Sequence, residues 1–160
     1  TDSNASSTTV TVTSSQTITA NFVPSTHTLD LSSSPSNAGT LTGDGSYDYG
    51  TEATITANPS PGYAFSNWSG SGITDVNSST TTVSIDGDRN VTANFELASY
   101  DLTVAIDGAG GTISGGGSFT HGQSAAIAAT PATGYVFASW SGSGITDAGS
   151  SSTTVTSEPR

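Results

Sequence analysis

Few side chains in this sequence are equipped for chemistry, and their spacing narrows what that chemistry is. Trp68 and Trp140 each lead into Ser-Gly-Ser-Gly, where an exposed indole can stack on a sugar ring as an aromatic platform. Alternation puts Tyr63 and Phe65 on one strand face and Trp68 on the other, which favours exposure. Against this, a thin core needs its largest side chain, and a bulge at Asn67 would turn the indole inward; burial is the preferred placement. Tyr47, Tyr49, Phe119 and His121 flank Gly-rich turns. They form either a second carbohydrate-facing surface or cross-strand pairs covering a hairpin.

Asp86-Gly87-Asp88-Arg89-Asn90 opens like a calcium loop, in which alternating oxygens converge on a hard cation. Val91 then stands where such a loop needs glycine, and Leu97 where it needs the closing carboxylate. The equivalent turn Thr13-Ser14-Ser15-Gln16-Thr17 contains no acid. A solvated turn is therefore preferred, with Asp86, Asp88 and Asn90 a weak calcium candidate and no other cofactor expected. Catalysis has less support. No Ser lies in a nucleophile elbow, and no His-x-x-x-His or His-Glu pair is placed to hold zinc. Comparison of the internal repeats described below aligns His27 with Tyr100 and His121 with Tyr49, so neither position requires an imidazole. Asp44, Asp48 and Glu52 align with Gly116, Thr120 and Ser124, so a carboxylate pair for glycoside hydrolysis would exist in one repeat only. A non-catalytic protein is expected. The sequons at Asn4, Asn67, Asn77 and Asn90 read as chance matches in a chain so rich in Ser and Thr.

The elements that position these groups are set by composition. The 160 residues carry 13 acidic side chains against two arginines, Arg89 and Arg160, for a formal net charge of −11. Nucleic-acid binding, which needs basic side chains to displace counterions from phosphates, is excluded as a partner class, and so are polybasic membrane contacts. No run approaches the roughly 18 consecutive apolar residues of a membrane-spanning helix, so no membrane insertion is expected. Cys and Met are absent, which leaves no disulfide framework and no thiolate chemistry. An acidic, Thr-rich surface of this kind suits a bacterial extracellular or cell-surface location.

Self-comparison reveals repeats. Gly62-Tyr63-Ala64-Phe65-Ser66-Asn67-Trp68-Ser69-Gly70-Ser71-Gly72-Ile73-Thr74-Asp75 returns as Gly134-Tyr135-Val136-Phe137-Ala138-Ser139-Trp140-Ser141-Gly142-Ser143-Gly144-Ile145-Thr146-Asp147. Near the start of the chain, Val10, Val12, Ile18, Ala20, Asn21 and Phe22 match Val83, Ile85, Val91, Ala93, Asn94 and Phe95. Residues 1–22 are thus expected to be the closing hairpin of a preceding repeat, 27–95 a complete repeat, and 100–160 a repeat without its final strand. The joints Val23-Pro24-Ser25-Thr26 and Glu96-Leu97-Ala98-Ser99 are short enough to restrict the angle between neighbours.

Apolar residues recur with a period of two at Ala53-Ile55-Ala57, Val83-Ile85, Val91-Ala93-Phe95, Leu102-Val104-Ile106 and Ala125-Ile127-Ala129, which predicts strands with one buried face. Asp86-Gly87-Asp88 predicts a hairpin between two of them. The fold class is mostly β: tandem small β units, a small sandwich as one form, arranged as beads on a string. Four to six strands and one helical turn are expected per unit. The ordered motifs Gly-Thr-Glu-Ala-Thr-Ile-Thr-Ala, Gly-Tyr-x-Phe-x-x-Trp-Ser-Gly and Val-Thr-Ala-Asn-Phe resemble the divergent internalin-type B-repeat, a bacterial extracellular tandem module. The resemblance implies a small, mostly β unit, β-grasp-like in form, found in surface adhesins and secreted polysaccharide-degrading enzymes, with no catalytic activity of its own.

Two functions follow as expectations. One is an adhesive stalk or spacer, with Val10, Val12, Ile18, Ala20 and Phe22 available to complete the last unit of a second copy by strand addition, head-to-tail or reciprocally. The other is a carbohydrate-binding module of a polysaccharide-degrading enzyme, whose partner would be a cell-surface or matrix polysaccharide.

Overall fold

The computed structural model describes residues 6–156. Residues 1–5 and 157–160, with Asn4 of the first sequon and the outer ends of both partial repeats, lie outside the described residues. Within them the fold is all-β, without a helix. The first unit comprises β1 (Thr26–Ser34), β2 (Gly39–Thr42), β3 (Gly45–Asp48), β4 (Glu52–Pro59), β5 (Tyr63–Ser69), β6 (Thr80–Ser84) and β7 (Arg89–Leu97). The second comprises β8 (Ser99–Leu102), β9 (Gly111–Ser114), β10 (Gly117–Thr120), β11 (Ser124–Pro131) and β12 (Ser152–Thr156).

In the first unit two sheets enclose one core. One sheet has the order β3-β1-β7-β5 and the other β2-β4-β6. Strand alternation directs Leu29 from β1 and Val91, Ala93 and Phe95 from β7 toward Ala53, Ile55 and Ala57 of β4 and Val83 of β6. The unit therefore has seven strands, more than the four to six expected, and the expected helical turn is not formed. β1 and β7 pair in parallel from Leu29↔Arg89 to Ser34↔Asn94, and β3 and β5 flank them antiparallel.

The hairpin expected at Asp86-Gly87-Asp88 is not formed, because β6 and β7 lie in different sheets. The turn carries the chain across the core. On one side Ile85 exchanges backbone hydrogen bonds with the turn between β3 and β4, donating to Thr51 and accepting from Gly50. On the other, the Asp88 carboxylate accepts the Thr28 amide at 2.9 Å, which places β7 beside β1. An Asp-Gly turn fixes a local reversal of direction, and tertiary partners decide which sheet receives the next strand.

The second unit repeats this plan in part. Its sheets are β10-β8 and β12-β11-β9, matching β3-β1 and β6-β4-β2. β8 stops at Leu102, the counterpart of Leu29, where β1 begins its ladder with β7. Residues 135–141, the counterpart of β5, form no strand. Ala125 and Ile127 are its only buried apolar residues among those described. Residues 6–25 also form no strand, so the hairpin expected within 1–22 is not present in its described part; Val10, Val12, Ile18, Phe22 and Val23 are exposed.

Candidate functional site

The repeated tryptophan motif is a loop tied to the strand that follows it. A register shift between Phe65 and Asn67 in the β5–β7 ladder reverses the facing expected from simple alternation. Trp68 is left only 2% exposed, with its ring 5.5 Å from that of Phe65. Its indole N–H donates to the Ser78 carbonyl at 2.9 Å, and its backbone N–H to Val76 at 2.7 Å. Thr74 and Thr82 share a hydroxyl hydrogen bond of 2.8 Å, and the Asp75 amide donates to the Thr81 hydroxyl. The second copy reproduces the set: Trp140 to Ser150, Thr146 with Thr154, and Asp147 to Thr153. Buried polar groups are thus satisfied within each loop.

This arrangement corrects the carbohydrate assignment of Trp68, whose indole has no face open to a sugar because the bulge turns it into the core. Trp140 is half-buried. The other aromatic candidates separate into two kinds. Tyr47 lies opposite His27 and Phe119 opposite Tyr100 in the β1–β3 and β8–β10 ladders. Both are half-buried, and the Tyr47 hydroxyl donates to the Gly43 carbonyl at 2.9 Å. Tyr49 is 58% exposed, with its ring 6.1 Å from that of His27. The second unit holds the same pair with the residue types exchanged, Tyr100 and His121 at 6.2 Å.

His121 also lies at the junction of the units. Only Ala98 separates β7 from β8; its amide donates to the Gly62 carbonyl at 2.9 Å and its carbonyl accepts the His121 amide at 2.7 Å. A Cβ on Gly62, whose φ is +86°, would overlap the His121 ring. Glycine at this position allows the close approach.

Asp86, Asp88 and Asn90 stand where the chain passes between sheets. Asp86 is ion-paired with Arg89. Asp88 receives the Thr28 amide and lies 3.6 Å from His27 Nδ1. Hydrogen bonds from Thr28, its backbone amide first, hold the Asp88 carboxyl below its ordinary value of 3.8, and the nearby His27 adds to the effect. Among the described residues no three His, Asp or Glu side chains cluster to hold a metal ion.

Motif reading did not single out Gly62, Ser78 or Ser150. A signal for the serines existed, since each stands the same distance after its tryptophan in both copies. The self-association candidates Val10, Val12, Ile18, Ala20 and Phe22 are all exposed and lie outside both units.

No curated protein and no solved structure matches this sequence. A family model described as the divergent InlB B-repeat domain matches residues 29–99 and again 100–158. Its two boundaries fall on the two units of the structure and the short joint between them. The chain therefore belongs to the divergent InlB B-repeat family, whose members point to repeat modules of bacterial surface or extracellular proteins.

Proposed function

We propose that the chain is a non-catalytic spacer or adhesive stalk of a bacterial surface or secreted protein, in which reach and orientation are the function. The observation that carries this is the joint. One residue separates the last strand of one unit from the first strand of the next, and Ala98 is hydrogen-bonded to both units. Because β1 and β7 are parallel, the chain enters a unit at one end and leaves at the other. Each unit then advances the array by about the length of a nine-residue strand, roughly 30 Å.

Nitrogen-15 relaxation combined with small-angle scattering tests the proposal. Both units are expected to tumble as one elongated body, and Gly62→Val is expected to loosen it by forcing His121 away. Independent tumbling of the parent units would refute a fixed joint. The exposed Tyr49 beside His27 supports a second reading, binding of a surface or matrix polysaccharide. A glycan array probed with the parent chain and with Tyr49→Ala separates the two, since binding lost in the variant would favour the carbohydrate role.

A further inference from the structure

The Asn-x-Ser/Thr sequons look alike in the sequence, and the fold separates them. Asn67 lies in β5, where its Oδ1 accepts Asn94 Nδ2 at 2.7 Å and the next residue of its sequon, Trp68, is buried. The sequon of Asn90 lies in β7, held by the ladders to β1 and β5. Asn4 is outside the described residues. Among the described sequons only that of Asn77 stands in a turn, between β5 and β6, with Asn77 and Ser79 both exposed.

The turn is held from within. The backbone N–H of Trp68 donates to the Val76 carbonyl at 2.7 Å, its indole N–H to the Ser78 carbonyl at 2.9 Å, and the Ala57 amide to the Ser79 carbonyl at 2.8 Å. On the outer side the Asn77 amide donates to Asp75 Oδ1 at 2.9 Å, an Asx turn. None of these bonds uses the Asn77 carboxamide or the Ser79 hydroxyl, and neither group has a hydrogen-bond partner among the described residues.

The second copy shows that the asparagine is not needed for this shape. Its turn reads Asp147-Ala148-Gly149-Ser150-Ser151, and the Gly149 amide donates to Asp147 Oδ1 at 2.9 Å. The Ser150 hydroxyl donates to the Ser152 carbonyl as the Ser78 hydroxyl does to that of Thr80. Neither Asn77 nor Gly149 has a positive φ, so the backbone places no special demand on the position. Even so, Thr-Asp-x-Asn-x-Ser stands at two equivalent points of the repeat, residues 1–6 and 74–79.

We propose that Asn77 is an N-glycosylation site, accepting a glycan from a sugar diphosphate donor. In the transfer, Nδ2 of Asn77 bonds to the anomeric carbon of the donor as the bond from that carbon to the diphosphate oxygen breaks. The diphosphate leaves with the bonding electron pair, and Nδ2 gives up one proton to a base of the transferase. The free Ser79 hydroxyl is the group through which the sequon is gripped. Lipid-linked and nucleotide-linked sugars share this diphosphate chemistry. A glycan on the turn adds bulk and hydration at the surface and leaves the core untouched.

The inference is independent of the spacer reading, since it needs only an exposed turn. The folded full chain is incubated with bacterial membranes holding an asparagine oligosaccharyltransferase and its lipid-diphosphate oligosaccharide, and separately with a soluble asparagine glucosyltransferase and UDP-glucose. Intact mass and fragment mapping are expected to place a glycan on Asn77, and the donor that works identifies the carrier. The adduct should disappear in Ser79→Ala and in Asn77→Gly, which copies the second turn and should keep the urea midpoint of the parent. Gly149→Asn should gain an adduct in the second unit, because Asp147, Ser150 and Ser151 already flank the position and an added Cβ would meet no listed neighbour nearer than 3.5 Å. The proposal is overturned if neither donor modifies Asn77, if Asn77 is modified only after unfolding in urea, if the adduct persists in Ser79→Ala, or if Gly149→Asn gains none.

Discussion

Trp68→Ala and Trp140→Ala are the same substitution in two copies of one motif, yet the structure assigns them different costs. Trp68 is 2% exposed. A buried aromatic of this size removes about 200 Å² from water, worth about 5 kcal/mol at about 25 cal/mol per Å². Its hydrogen bond to the Ser78 carbonyl contributes about 1 kcal/mol more. Partial collapse of the site brings the expected loss to about 4 kcal/mol. A unit of this size has a total stability of roughly 4–10 kcal/mol, so Trp68→Ala leaves the first unit close to unfolding at room temperature. Trp140 is half-buried over an open cavity, and about 2 kcal/mol is expected there. Urea titration followed by circular dichroism and by the remaining tryptophan separates the units, because each variant keeps the other unit's fluorophore. In Trp140→Ala, Trp68 should report an unchanged midpoint for the first unit. Equal destabilisation by the two substitutions, or a loss below about 1 kcal/mol at Trp68, would refute the assignment of the first tryptophan to the core.

Other consequences are open to measurement. Asp88 has its pKa lowered by Thr28, so its contribution to stability is full above its ordinary value of 3.8 and is lost as pH falls through the lower folded value. Acid melts of the parent and Asp88→Ala should therefore differ above that pH and converge below it. Calcium is expected to leave the melting temperature unchanged, since Asp86 holds Arg89 and Asp88 holds the Thr28 amide; calorimetry with calcium and with chelator decides this. Thr82→Val removes the hydroxyl pair with Thr74, an exposed contact, and should cost about 1 kcal/mol or less in urea.

Much of this architecture is legible in the residues. The two-residue spacing of Ala53, Ile55 and Ala57, or of Val91, Ala93 and Phe95, is a direct imprint of a strand with one face buried, and each of these residues is buried. The two repeats are legible because sequence copies preserve whole loops, down to the hydrogen bonds from Trp68 and Trp140. The inward facing of Trp68 is legible too, although alternation alone points the indole outward: a thin core needs its largest side chain, and the bulge at Asn67 that this requires is present in the β5–β7 ladder. Other features are not local and escaped. The course of the chain after Asp86-Gly87-Asp88 depends on Thr28 and Thr51, remote in sequence, so a turn that reads as a hairpin becomes a crossing between sheets. Gly62 escaped for the same reason, since its neighbour His121 belongs to another unit.

The parallel pairing of β1 with β7 has a mechanical corollary. These are the first and last strands of the unit, joined over Leu29–Ser34 and Arg89–Asn94. Tension applied through the two ends of the unit pulls them past each other along their axes, so the rungs between them are sheared together instead of being unzipped singly. A string of such units should resist stretching until one gives way abruptly, then extend by that unit's unfolded length while its neighbours hold.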